Sequence, residues 1–446
     1  MVEFRPNLYT DVRFEHINDT LIVYTNGKLE NFLERRRDGA FIRVFDGVRW
    51  YYSATTDLAH LQDEVNALSA MAEPNAQIAD HPYVKRLRVN QGDRRRFTGS
   101  EITTVPTVEK SALLSKFFPI FAGASRVGLW QAIYKDRREE KRVVSSLGTD
   151  IMFDRQDCGL YYGFTLTEGE KRFSEDFQQA ANDFPELQRV TETEIQAFLS
   201  HCEDFLLHSK PCTPGTFPVV LSPMAAGIFA HESFGHKSEA DFMIGDETMK
   251  KEWAIGKQVA SPILSIVDDG NEMGSGYIAC DDEGMPPEKT YLIRDGFLAG
   301  RLHSAHTAAI LEEEPTGNAR AINFEYEPIV RMTCTYILPG DKTLEELIAS
   351  IDSGYYVERL RHGSGMSTFT LAPSLAYRIE SGKITDPVQI SVVTGNVFET
   401  LSKIDGLSDK IELKSFVLGG CGKHEQSGLP VGFGGPYVKV LDLNIQ

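Results

Sequence analysis

The hydrophobic rhythm of the chain changes along its length. Near the start it has a period of two. Residues 41–45 and 48–52 alternate as strands on either side of Asp46-Gly47, and Asn26-Gly27 is a second hairpin-type turn. Helical spacing then runs from 57 to 71. Between 86 and 216 the two periods mix. Helices are expected over 111–121 and 192–207, with a strand over 159–166, and Pro211-Cys212-Thr213-Pro214-Gly215 makes a boundary. From 217 onwards strands dominate. They are expected over 217–221, 289–293 and 297–302 around Asp295-Gly296, 330–338, 374–380, 388–393 and 438–443. Short helices are expected over 343–351 and 397–402. The pattern predicts an α+β fold, a mixed N-terminal part followed by a strand-rich C-terminal domain. Three regions are expected, 1–85, 86–216 and 217–446.

One segment of the third region carries more than periodicity. The apolar run 217–221 feeds Ser222, a good N-cap, and Pro223, suited to the first helical position. Met224, Ala225, Ala226, Ile228, Phe229 and Ala230 then make a helix apolar on most sides, which predicts burial. His231-Glu232-Ser233-Phe234-Gly235-His236 follows at its C-terminal end. This is HExxxH, one residue longer than the HExxH helix of zinc proteases. Histidines four apart are separated by about 40° around an α-helix, whereas five apart they diverge by about 140°. One ion can hold both only if a π-bulge or a local helix end absorbs the extra residue. Gly235 is the residue best suited to such a distortion. Glu232 is positioned to act as general base. The alternative is two helix-end histidines and an exposed Glu.

Catalytic zinc usually takes three protein ligands. The best third candidate is Cys421, in the glycine-rich stretch from Gly419 to Gly435. Such glycines indicate backbone that turns tightly or approaches other backbone closely. A lone buried Cys in a turn is the competing reading. His424 is a rival ligand, though an exposed loop is its ordinary place, and His303 and His306 rank lower because they follow a strand and have no acidic partner beside them.

Composition narrows the function. Charged residues make up 25% of the 446, and a net charge of −18 with no basic stripe argues against a nucleic-acid partner. Arg35-Arg36-Arg37 and Arg94-Arg95-Arg96 are short basic runs suited to solvated surface. Six scattered cysteines without CxxC pairs read as reduced thiols. No apolar run reaches transmembrane length, and the N-terminal residues do not read as a signal peptide. A cytoplasmic enzyme without a membrane partner is the expectation.

The stretch 231–241, HESFGHKSEAD, together with 420–436, GCGKHEQSGLPVGFGGP, resembles the TldD branch of the TldD/PmbA family. Val267-Asp268-Asp269-Gly270, Asp281-Asp282-Glu283-Gly284, Thr316-Gly317-Asn318-Ala319-Arg320 and Pro328-Ile329-Val330-Arg331-Met332-Thr333 match in the same order. The resemblance covers 217–446 well and the N-terminal half loosely. It implies zinc held by His231, His236 and Cys421, with Glu232 catalytic and a largely β catalytic domain. It further implies hydrolysis of peptides or unfolded polypeptides, and a dimer with a metal-free PmbA/TldE-like relative. Two residues depart from the family pattern, Asn271 after Asp-Asp-Gly and Glu425 in the Cys loop. The second is expected to place a carboxylate near the site.

Two other functions remain open on the sequence. One is a non-hydrolytic zinc-containing scaffold that modulates another protein, for which Glu232 would be superfluous. The other is a thiol hydrolase with Cys421 as nucleophile. It would resist chelators and fail with iodoacetamide. Substrate-binding residues are not legible.

Overall fold

The computed structural model describes residues 2–365 and 367–446. The fold is α+β and rests on three main sheets. The first has seven strands. It is built on a long hairpin, Tyr9–Thr25 with Lys28–Phe45, turning at Asn26-Gly27, where both φ angles are positive. Trp50–Thr55 flanks it on one side, and Val127–Ser145, Asp150–Glu168 and Lys171–Ala181 continue it on the other. Strands from both of the first two regions share this sheet, so the division expected at residue 85 falls within one layer.

Helix Glu192–His208 covers part of this sheet through Ile195, Leu199, Cys202, Phe205 and Leu206. Thr191 and Glu194 form its capping box, the reciprocal pairing of cap side chains and backbone donors that starts helices. The single helix expected over 111–121 is instead two, Thr107–Ser115 and Phe118–Gly123. Pro119 accounts for the break. Its ring would clash with the carbonyl four residues back, and it lacks the donor a continuing helix needs.

The C-terminal region holds the other two large sheets. In one, Ser353–Gly365, Gly215–Leu221, Val438–Ile445, Val393–Asn396 and Thr368–Glu380 pair in turn, and the last pairs back with the first. This closes a ring. In the other, Ile266–Asp268, Cys334–Ile337 and Gly432–Gly435 are the central strands. Helix Pro223–Ala230 packs between the two sheets, in the largest apolar core.

Three expected strands are shorter than their hydrophobic pattern. The strand expected over 297–302 pairs only at Phe297–Leu298. Beyond it the chain leaves the hairpin, and Leu302 exchanges backbone hydrogen bonds with Ser238 and Ala240 at 2.8 and 3.0 Å. The strand expected over 330–338 splits into Ile329–Val330 and Cys334–Ile337. Its middle donates to side chains instead, Met332 N to Glu239 at 3.3 Å and Thr333 N to Asp268 at 3.0 Å. The strand expected over 388–393 ends at Gln389, and the next begins at Val393.

Candidate metal centre

The site begins with a capped helix. The Ser222 hydroxyl accepts from Ala225 N at 3.2 Å and donates to the Glu358 carbonyl at 2.6 Å, tying the helix start to the ring of strands. Gly227 lets the helix lie directly on strand Gly432–Gly435. A Cβ there would stand 2.4 Å from Gly434 N. The late glycines serve close approach between strands: a Cβ on Gly432 would stand 2.7 Å from the Cys334 sulfur, and one on Gly434 would clash with the Glu412 carbonyl.

At Ala230 the α-helix gives way to a π turn, His231–Gly235, followed by a 3₁₀ turn, His236–Ser238. The backbone N–H of His236 donates to the carbonyl of His231, an i→i+5 bond between the two histidines. This wider turn brings side chains five apart onto one side. The imidazole rings lie 5.1 Å apart and nearly perpendicular. Gly235 has a different role from the one expected. Its φ and ψ of −57° and −51° are ordinary helical values. The missing side chain matters because a Cβ would stand 2.2 Å from the Met332 sulfur.

Cys421 opens a small hairpin, Cys421–Lys423 with Gln426–Leu429. Arg331, fully buried, donates to the carbonyls of Cys421 at 2.6 Å and Gln426 at 3.2 Å and so fixes the hairpin. The nearest donor atoms of His231, His236 and Cys421 all lie within 4.8 Å of one another. Cys421 Sγ is 3.5 Å from His236 Nε2.

Without metal this trio is strongly polarised. Burial alone would raise the Cys421 thiol, but His231 and His236 together bring it down to about 5. Burial would lower His236, yet hydrogen bonds to Cys421 and Glu239 carry it up to about 10. A thiolate, two imidazoles and the buried His231 Nδ1 without a hydrogen-bond partner make a donor set that suits zinc. Among the described residues no fourth His, Cys, Asp or Glu joins the group.

Glu239 is a residue of the candidate site that the sequence reading missed. It is fully buried, and its carboxylate faces His236 Nδ1 at 3.4 Å, leaving Nε2 towards Cys421. Lys423, on the Cys421 hairpin, pairs with Glu239 at 2.9 Å and with Asp241 at 2.7 Å. One buried ammonium thus joins the two halves of the site. Both residues lie in the recognised motif strings, but no spacing rule pairs positions so far apart.

Glu232 is half-buried beside the trio. It lines the same cavity of about 500 Å³ as His231, His236 and Cys421. The rival ligands lie elsewhere. His303 is enclosed by Thr307 at 3.0 Å and Glu313 at 2.9 Å, and His306 packs edge-on against Tyr83. His424 is exposed at the hairpin turn with a φ of 50°. Glu425, beside it, is exposed and does not line the metal cavity, contrary to expectation. Asn271 donates to Asp269 at 2.9 Å in a local turn. The first basic run is paired, Arg35 and Arg37 with Asp19 and Arg36 with Asp38, and in the second Arg95 pairs with Asp93.

Comparison with known proteins places the chain in a family. The profile of the PmbA/TldA metallopeptidase C-terminal domain matches residues 214–446, and that of domain 1 matches residues 10–73. A zinc metalloprotease TldD homolog of Saccharolobus solfataricus is 34% identical, over 98% of this chain and 96% of its own. A metalloprotease of Methanothermobacter thermautotrophicus is 31% identical, over 97% and 94%. The crystal structure of TldE from Thermococcus kodakarensis has the same fold, with a TM-score of 0.77 over 98% of this chain and 96% of that one, at 16% identity. The chain belongs to the TldD/PmbA metallopeptidase family.

Proposed function

We propose that this chain is a zinc-bearing, catalytic member of its family that hydrolyses peptide bonds in short or unfolded polypeptides. The reading rests on the convergence of His231, His236 and Cys421 on a cavity that also holds Glu232. The names of its relatives, one of them a zinc metalloprotease, support both the metal and the reaction. When held by these three residues, zinc supplies a Lewis acid and acidifies water towards neutrality. Glu232 takes the proton from the attacking water and delivers it to the leaving amine. Three protein ligands leave room for substrate, whereas a purely structural zinc site is normally closed by four. This disfavours the scaffold reading.

A thiol hydrolase remains the second reading, because the lowered Cys421 thiol beside a raised His236 is a thiolate–imidazolium pair. Zinc separates the two. A chelator-stripped zinc peptidase recovers on adding zinc, whereas a thiol hydrolase is indifferent to chelation.

The working form proposed is a cytoplasmic dimer with a metal-free relative of the TldE type, which encloses the metal and admits only flexible chains. Casein, a synthetic decapeptide and a stable folded domain, each incubated with and without the relative, test this. The first two should be cut and the third spared. Efficient cleavage of the folded domain by the chain alone would rule out the enclosed form. Absence of zinc-dependent cleavage of any substrate would remove the peptidase reading.

A further inference from the structure

A second cavity, also of about 500 Å³, adjoins the metal cavity, and Arg361 and His362 line both. Lys171 and Arg172, on strand Lys171–Ala181, also line it. Every titratable side chain on its walls is basic, and no Asp or Glu lines it. This runs against the chain as a whole, which has 64 acidic and 46 basic residues. A third cavity of similar size, which shares Gln178 and Phe433 with the metal cavity, mixes Arg96, Arg359 and Lys414 with Asp183 and Glu186.

The two arginines of this cavity also lack carboxylate partners among the described residues. Arginines elsewhere commonly pair with carboxylates, among them Arg13, Arg43, Arg95, Arg138 and Arg301. Arg172 and Arg361 pair with none among the described residues, while Lys171 donates to the Leu207 carbonyl at 2.8 Å. Phe173 and Phe205 give the cavity an apolar floor. Unpaired guanidinium groups around a concave apolar floor attract an anion and match a carboxylate with two parallel hydrogen bonds.

We infer that this cavity is a carboxylate subsite for the peptide substrate, placed a few residues from the bond that faces Glu232. The carboxylate comes either from the free C-terminus of the substrate or from an Asp or Glu side chain. The inference rests on the peptidase reading but is testable apart from it.

The experiment uses the zinc-loaded full chain carrying Glu232→Gln, so that bound peptide is not consumed. Binding of three matched decapeptides is followed by fluorescence anisotropy. One has acidic side chains and an amidated C-terminus, one is neutral with a free C-terminus, and one is neutral and amidated. At least one anionic peptide should bind roughly 10-fold tighter than the neutral amide, the scale of one charge-assisted hydrogen-bond pair. Which of the two does so identifies the source of the carboxylate. The advantage should fall below about 3-fold in a chain that also carries Arg172→Gln and Arg361→Gln. Equal binding of all three peptides, or an advantage that survives those substitutions, overturns the subsite. Tight anionic binding without cleavage by the zinc-loaded unmodified chain, either alone or with its metal-free relative, would keep the subsite and remove the peptidase reading.

Discussion

At the scale of single residues the proposed function divides the site's labour between holding zinc and moving protons. His231→Ala or Cys421→Ala should each remove most of the zinc, measured by elemental analysis, because two donors cannot retain it at the affinity of three. Glu232→Gln keeps the size of the side chain but cannot take a proton. Zinc content should be unchanged while peptide turnover falls by about 10²-fold or more. Unchanged turnover would give the base role to another residue. Glu239 stands one step back, facing His236 Nδ1 at 3.4 Å, where it would fix the orientation of that ring. Glu239→Gln should weaken zinc affinity by roughly 10–100-fold, as outer partners of metal-bound histidines do. Chelator competition measures this, and the loss should vanish in a His236→Ala background. Additive losses would mean that Glu239 only supports the fold.

At the scale of elements, the unusual feature is a helix that switches from α to π at its functional end. HExxxH spacing makes that switch legible in the sequence, because no straight α-helix points both histidines at one ion. The reason for Gly235 was not legible, since it lies in Met332, which belongs to a strand expected to be continuous and found to be broken. Periodicity counts apolar residues. It does not register that Met332 and Thr333 donate to Glu239 and Asp268 rather than to a neighbouring strand. Gly235→Ala tests the packing argument. A methyl group must displace Met332, so the variant should lose about 1–3 kcal/mol of stability to overpacking and bind zinc more weakly. Stability and affinity equal to the unmodified chain would show that Met332 moves aside freely.

At the scale of the whole molecule, buried charges tie the N-terminal sheet to the C-terminal region. Lys141 reaches Asp282 at 2.8 Å and Glu15 at 3.4 Å, and Arg43 joins Asp11 at 2.8 Å and Glu283 at 3.2 Å. The acidic runs were visible in the sequence, but their partners were not, because Lys141 and Asp282 are 141 residues apart and Arg43 and Glu283 are 240 apart. Burial would raise the Asp282 carboxyl, but Lys141 and Arg13 hold it below its usual value. A depressed carboxylate stabilises the fold above the unfolded value near 4, and that contribution is lost as pH falls through the folded value. Lys141→Met leaves these carboxylates buried without their main partner. It should destabilise the chain by about 3–5 kcal/mol and shift acid unfolding to higher pH, both followed by circular dichroism in denaturant and in acid. A midpoint matching that of the unmodified chain would mean that the network contributes nothing net.

The α+β class, the core helix and the trio His231, His236 and Cys421 follow from local pattern and family motif. What brings the trio together is long-range, and so are Glu239, Lys423 and the basic cavity. The most direct test of the account is anomalous diffraction from crystals of the zinc-loaded chain, recorded on either side of the zinc edge. The account predicts one strong peak per chain, in bonding contact with His231, His236 and Cys421 and beside Glu232. Anomalous density at His303, His306 or His424 with none at this trio would contradict it.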